Sequence, residues 1–190
     1  MDAASIFSTL GTIFSVFLSF SPTVPFIQVF QKKEKLEILP EGMLFCQLLN
    51  RLLWGSVWII TKRILIDAGV GIIITSTFLI LYFYLYFNRI YFKALIGFIV
   101  LFCFELTIVL GAVLYGNVSV VSLLAMIFNV AMYIAPGQKI LRVIKEKNYK
   151  LIPIRSTIVS ICCSGAWLFY GILINLIVQI VPNALGLFFL

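Results

Sequence analysis

Seven apolar runs separated by short loops leave this chain few ways to fold. They extend from about Ile6 to Phe30, Pro40 to Ile60, Ile64 to Phe87, Ala94 to Tyr115, Val118 to Ile140, Ile152 to Ile174 and Leu176 to Leu190. All but the last approach the ~20 residues that a helix needs to cross the hydrocarbon core of a bilayer. In lipid every backbone N–H and C=O must find its partner within the protein, so runs of this length are read as spanning α-helices. The composition agrees: 63% of the 190 residues are hydrophobic and only 11% are charged, more apolar sequence than a soluble domain of that size buries. The seventh run is short by several residues, which predicts a mismatch with the membrane at that end.

The chain is also a duplication. Ser21-Pro22 and Ala135-Pro136 lie 114 residues apart, as do Phe14 and Phe128 within T-I-F-S-V and M-I-F-N-V. Pro40 to Pro153 and Trp54 to Trp167 are each 113 residues, so the loop between the first two helices loses one residue in the second copy and the following helix keeps register. The fourth run has no proline and no counterpart. The predicted fold is therefore all-α, with seven transmembrane helices in two three-helix repeats joined by a linker helix (3+1+3). Residues 1–87 form the first bundle, 88–117 the linker and 118–190 the second bundle with its short last helix. An odd crossing between the triplets makes the repeats parallel in the membrane, and neither copy buries its polar face alone, so the function is expected between them.

The net charge of +7 does not point to nucleic acid, because the basic residues lie in loops between apolar runs. Lys32, Lys33, Lys35, Arg89, Lys93, Arg142, Lys145, Lys147, Lys150 and Arg155 fall on one side, against Lys62 and Arg63 on the other. The bias predicts odd loops in the cytosol and the N-terminus outside or lumenal. Asp2 and the absence of a basic n-region argue against a cleaved signal, so the first helix is read as a retained anchor. Asn117-Val118-Ser119 fits a glycosylation acceptor close to two helix ends. Cys46, Cys103, Cys162 and Cys163 lie in apolar runs without disulfide or zinc spacing, and histidine is absent. No motif offers a nucleophile with a base, a phosphate loop or a metal site, so neither an enzyme nor a cofactor is expected.

The polar and special residues inside the runs are the candidate site. Pro22, Pro40, Pro136 and Pro153 form a fourfold set. Pro22 and Pro136 are read as lying within helices, freeing carbonyls near Leu18 and Met132 and making hinges; Pro40 and Pro153 fit the first turn of a helix, where proline costs little. Trp54 and Trp167 each follow a proline by 14 residues, with Asn50 and Cys163 one turn earlier on the same face. An indole beside an amide suits a sugar ring, although a tryptophan there also serves as an interfacial anchor. Asn183, in V-P-N-A-L-G, needs a partner or a ligand. Asp67 is its positional counterpart, able to accept substrate hydroxyls or a proton, or to pair with Arg63 at a helix start. Arg51 and Glu105 fall mid-helix, where a mutual pair or a water-filled cavity is the default expectation.

Seven of these patterns in order resemble the SWEET sugar transporter family. They are S-P closing helix one, L-P opening helix two, N-x-x-x-W at Asn50 and Trp54, A-P in helix five, V-I-K-x-K before I-P, W-x-x-Y-G at Trp167 to Gly171, and P-N-x-x-G at Pro182 to Gly186. The resemblance implies bidirectional, energy-independent facilitated diffusion of mono- or disaccharides by alternating access, the bundles rocking about the proline tetrad. It places Trp54, Asp67, Trp167 and Asn183 at the substrate, with Asp67 where the family has asparagine, and lines the path with Leu18, Asn50, Met132 and Cys163. The bulk of Leu18 and Met132 favours a monosaccharide. The implied partners are a sugar, the lipid bilayer and further copies of the chain, in a plasma or Golgi membrane.

Two departures mark the sequence. The first repeat reads W-G-S-V-W in place of W-x-x-Y-G, and the chain is expected to lack the cytosolic tail of the family. Two other readings stand beside the uniporter: a proton-linked carrier of an amino acid or other small polar solute of the PQ-loop type, whose P-Q dipeptide is absent here, and a seven-helix receptor or scaffold that transports nothing.

Overall fold

A computed structural model of the protein describes residues 2–32, 39, 41–61, 66–87, 92–146 and 154–189. Its elements are α1 (Ala3–Ser19), α2 (Thr23–Phe30), α3 (Glu41–Thr61), α4 (Ile66–Phe87), α5 (Phe92–Tyr115), α6 (Val118–Glu146), α7 (Ile154–Leu173) and α8 (Ile177–Phe189), with no strand among the described residues. The helices α1 and α2 together form the first crossing, so the predicted all-α 3+1+3 layout is the observed one. Ala3–Phe30, Met43–Thr61 and Ile66–Leu85 are each long and apolar enough to cross a membrane, and four shorter apolar helices follow.

The first crossing departs from the expectation of one helix carrying Pro22 inside it. Regular helix stops at Ser19, and Pro22 becomes the cap that starts α2. The turn is closed by three-residue hydrogen bonds, Ser21 N–H to Leu18 C=O at 3.0 Å and Thr23 N–H to Phe20 C=O at 3.0 Å. The Leu18 carbonyl is therefore occupied by a local donor and is not left loose, because a proline at a helix start gives up an N–H that has no helical partner anyway. One buried face nevertheless continues across the break, through Gly11, Ser15, Ser19, Pro22 and Phe26. In the second copy α6 runs unbroken past position 136 and ends at Glu146, beyond the predicted boundary. Pro40 and Pro153 lie outside the described residues; α3 and α7 begin at Glu41 and Ile154, immediately after them.

The packing obeys the duplication. Within each triplet the third helix touches both others: α4 lies against α1 and α3, and α8 against α6 and α7. The two most extensive interfaces join the copies, α1 with α7 and α3 with α6. Since α1 matches α6 and α3 matches α7, these are one interface occurring twice. The linker α5 packs only lightly, on α3 and α6. Apolar burial cannot drive helices together in lipid as it does in water, so small residues allow close approach at the seams: Gly11 on α1, against Trp167, and Ala125 on α6. Leu53, Val57, Val121 and Ala125 form the α3–α6 core, while Phe26, Leu44, Leu48, Phe78, Leu79 and Tyr82 fill the first bundle. Large side chains such as Ile73, Ile80 and Leu114 face outward, as lipid permits.

The end of α7 explains part of the W-x-x-Y-G pattern. Asn175 takes the left-handed conformation with φ 53°, and Leu176 N–H reaches back to Gly171 C=O at 2.9 Å, a Schellman closure. A Cβ at Gly171 would lie 3.0 Å from Gln179 Cβ, so a glycine lets α8 fold back closely on α7.

Candidate functional site

The two seams carry four of the predicted site residues, Asn50, Trp54, Cys163 and Trp167. On α3, Asn50 is buried and its Nδ2 donates to the Ala125 carbonyl of α6 at 3.0 Å. One turn on, Trp54 is half-buried and packs on the cluster of Leu53, Val57, Val121 and Ala125. In the other seam Cys163 is buried on α7, its Sγ 3.3 Å from Ser15 Oγ and 4.0 Å from the Gly11 carbonyl of α1. One turn further, Trp167 donates its indole N–H to Ser15 Oγ at 2.9 Å and meets the Tyr170 ring edge-on at 5.6 Å. Gly11 accommodates the indole, since a Cβ there would stand 2.8 Å from Trp167 Cε2. Trp167 thus bridges the repeats, and Trp54 lies against the core that α3 and α6 share.

Asn183 is 3% exposed on α8, with Pro182 and Gly186 buried beside it. Its Nδ2 donates to the Gln179 carbonyl at 2.7 Å and to Gln179 Oε1 at 3.3 Å, so the amide finds its partner one turn back on its own helix. Leu18 is half-buried beside the break in the first crossing, and Met132 is half-buried on α6.

Asp67 is placed differently from its supposed counterpart. Its Oδ2 lies 2.9 Å from Arg51 Nη1, both side chains being only 14% and 11% exposed. Arg51 therefore pairs with Asp67 on the neighbouring helix α4, in place of the expected Glu105; the side chain of Glu105 and the whole of Arg63 lie outside the described residues. Each of the two charges, costly in a membrane on its own, is thus neutralised by the other. Arg51 Nη1 also donates to the Asp67 carbonyl at 3.3 Å, and Nη2 donates to Ser15 C=O and Ser19 Oγ, both at 3.4 Å. Ser15 and Ser19 were not singled out in the sequence; their signal was the spacing of Gly11, Ser15 and Ser19 every four residues, a small-residue stripe on one helix face.

Asn117 is exposed, and its Oδ1 accepts the Val120 N–H at 3.2 Å as the cap of α6. Among the described residues no disulfide joins the four cysteines, and no group of histidine, cysteine, aspartate or glutamate is suited to a metal. A cavity of about 170 Å³ between α3, α4 and α5 is lined by Leu52, Gly55, Ser56, Ile59, Gly69, Ile72 and Val109. It contains none of the candidate residues, and its apolar wall offers little to a hydroxylated solute.

The fold defines a multi-pass helical membrane protein built of two parallel three-helix repeats and a linker, with polar contacts both inside the first bundle and across the seams. Residues 119–190 match the family described as "Sugar efflux transporter for intercellular exchange". The chain is 26% identical over 195 residues to the bidirectional sugar transporter SWEET1a of Sorghum bicolor, covering 98% of this chain and 72% of that one. It is 27% identical over 186 residues to SWEET3 of Arabidopsis thaliana, with 92% and 70% covered. A eukaryotic SWEET transporter solved at 3.7 Å superposes with a TM-score of 0.76 at 21% identity, covering 98% of this chain and 91% of its own. The chain is thus similar to proteins of the SWEET family, the same family that its motifs resemble.

Proposed function

We propose that this protein is a sugar uniporter, carrying mono- or disaccharides in either direction down their gradient by alternating access between its two bundles. The observation that carries this reading is the repeated seam: Trp54 and Trp167, matched by the duplication, each lie between one repeat and the other. Residues held between two bodies change surroundings when the bodies rock, as a carrier requires. An indole offers the apolar face of a sugar a flat partner, while Asn50 and Asn183 supply amides of the kind that bind hydroxyls. The names of the relatives support the same solute class.

In this reading Trp54, Trp167 and Asn183 contact substrate, while Leu18, Asn50, Met132 and Cys163 line its path. The turn at Pro22 and the positions of Pro40, Pro136 and Pro153 take up the bundle motion. Residues 1–87 and 118–190 move against each other, with 88–117 as a tether. The site is the bilayer of the cell surface or the Golgi, with the N-terminus outside or lumenal. Asp67 is committed to Arg51, which favours uniport over a proton-linked carrier.

The test is uptake of labelled glucose into cells lacking their own hexose carriers, comparing wild type with Trp167→Ala at equal surface expression. Uptake by wild type and its loss in the variant are expected. Equal uptake by both removes Trp167 from the substrate path. Absence of uptake from correctly delivered wild type rejects glucose as the cargo.

A further inference from the structure

The charged pair occurs in one repeat only. The residue 113 positions after Arg51 is Ser164, a neutral hydroxyl, and the position matched to Asp67 is Asn183. A mid-helix ion pair in a membrane is expensive to keep, so its presence in one of two otherwise matched halves calls for a task there. Its contacts show where that task lies. Arg51 is anchored to α4 by Asp67 and crosses over Gly71, where a Cβ would stand 2.7 Å from Nε. With the anchor made, Nη2 is left facing α1, donating at 3.4 Å both to the Ser15 carbonyl and to Ser19 Oγ. Ser19 Oγ itself donates to the same Ser15 carbonyl at 2.9 Å. Ser15 then accepts the indole N–H of Trp167 at 2.9 Å and meets Cys163 at 3.3 Å.

We infer that Arg51, clamped by Asp67, is a positioning residue for Trp167: it fixes Ser15 on α1 so that the Ser15 hydroxyl holds the indole in one orientation across the seam. A planar guanidinium is suited to this because its donors point in fixed directions to two helices at once. A lysine at the same place keeps the charge opposite Asp67 but is a single flexible ammonium without that fork. Among the described residues no hydrogen bond holds the Trp54 indole, which packs on the α3–α6 core, and the position matched to Ser15 on α6 is Asn129. The two halves of the site thus differ: one tryptophan is held by a charged strut and the other by apolar packing. The inference rests on the proposed function only for its effect on transport; the orientation of the indole is a property of the protein whatever it carries.

The experiment uses the full chain in detergent micelles, labelled with 15N-tryptophan. Its three tryptophans, Trp54, Trp58 and Trp167, give three indole N–H resonances, assigned by single replacement with phenylalanine. In Arg51→Lys, which leaves no buried charge unpaired, the Trp167 resonance is expected to move and its hydrogen exchange to quicken several-fold, with Trp54 and Trp58 unchanged. If that variant does not fold, Ser19→Ala removes the hydroxyl beside the strut without touching a charge and is read in the same way. In the uptake assay the same variant is expected to raise KM several-fold with the maximal rate nearly kept. A Trp167 resonance that stays in place overturns the inference, including where uptake falls, since a purely structural strut would act only through the amount of folded protein. A moved resonance without any glucose uptake would support the strut and tell against the proposed cargo alone.

Discussion

Asn50 Nδ2 donates to the carbonyl of Ala125 at 3.0 Å, joining α3 of the first repeat to α6 of the second. The duplication turns Asn50 into Cys163 and Ala125 into Gly11, and Cys163 Sγ lies 4.0 Å from the Gly11 carbonyl. The same cross-repeat contact is thus made twice, strongly in one seam and weakly in the other. Under the proposed alternating access, both contacts are expected to break.

Asn50→Leu removes the stronger contact and is expected to lower stability in micelles by about 1 kcal/mol, the usual net worth of one hydrogen bond. Cys163→Ala keeps the small volume, loses only a weak sulfur donor and is expected to cost less. Thermal melting of the two variants beside wild type checks the order.

Gly11→Ala places a methyl 2.8 Å from the Trp167 ring, whereas Gly69→Ala and Gly165→Ala meet nothing within 4 Å. The first is expected to reduce folded yield or displace the indole. The other two should fold normally and stand about 0.5–1 kcal/mol more stable, since alanine favours a helix over glycine. Size-exclusion profiles and melting curves separate the three.

Asp67→Asn leaves Arg51 charged and without its anion inside the first bundle. Breaking a buried pair from one side typically costs about 3–5 kcal/mol, while removing both charges together is far milder. Asp67→Asn is therefore expected to melt well below the double variant Arg51→Met/Asp67→Leu. The reverse order would mean that the pair is solvated.

Thr75 Oγ1 and Gln47 Oε1 are buried on facing helices of the first bundle and have no hydrogen-bond partner among the described residues. Thr75→Val removes such a hydroxyl at nearly constant volume, and a neutral or slightly raised melting temperature is expected. A fall of several degrees would show that the hydroxyl is satisfied in the membrane-embedded protein.

Much of this was legible because lipid imposes simple rules. Length and hydropathy set the crossings, and the boundaries of α3 to α8 fall within a few residues of the apolar runs, except where α6 continues to Glu146. The recurring Pro and Trp anchors gave the pairing of the repeats. Three features were not legible. A proline inside an apolar run does not say whether the helix kinks or stops, and at Pro22 it stops. The partner of Arg51 depends on which helices touch, and the periodicity of a single helix does not carry that. Asn183 satisfies its amide nitrogen on Gln179, a local bond that made its need for a distant partner smaller than its burial suggested.

The most direct test of the account is labelled-glucose counterflow in proteoliposomes of the purified chain, with and without an imposed pH gradient, for wild type beside Asn183→Ala. Wild type is expected to exchange sugar at a rate that ignores the pH gradient, and the folded variant to exchange none. Flux that follows the pH gradient, or a variant as active as wild type, would contradict a uniporter whose substrate rests between the repeats.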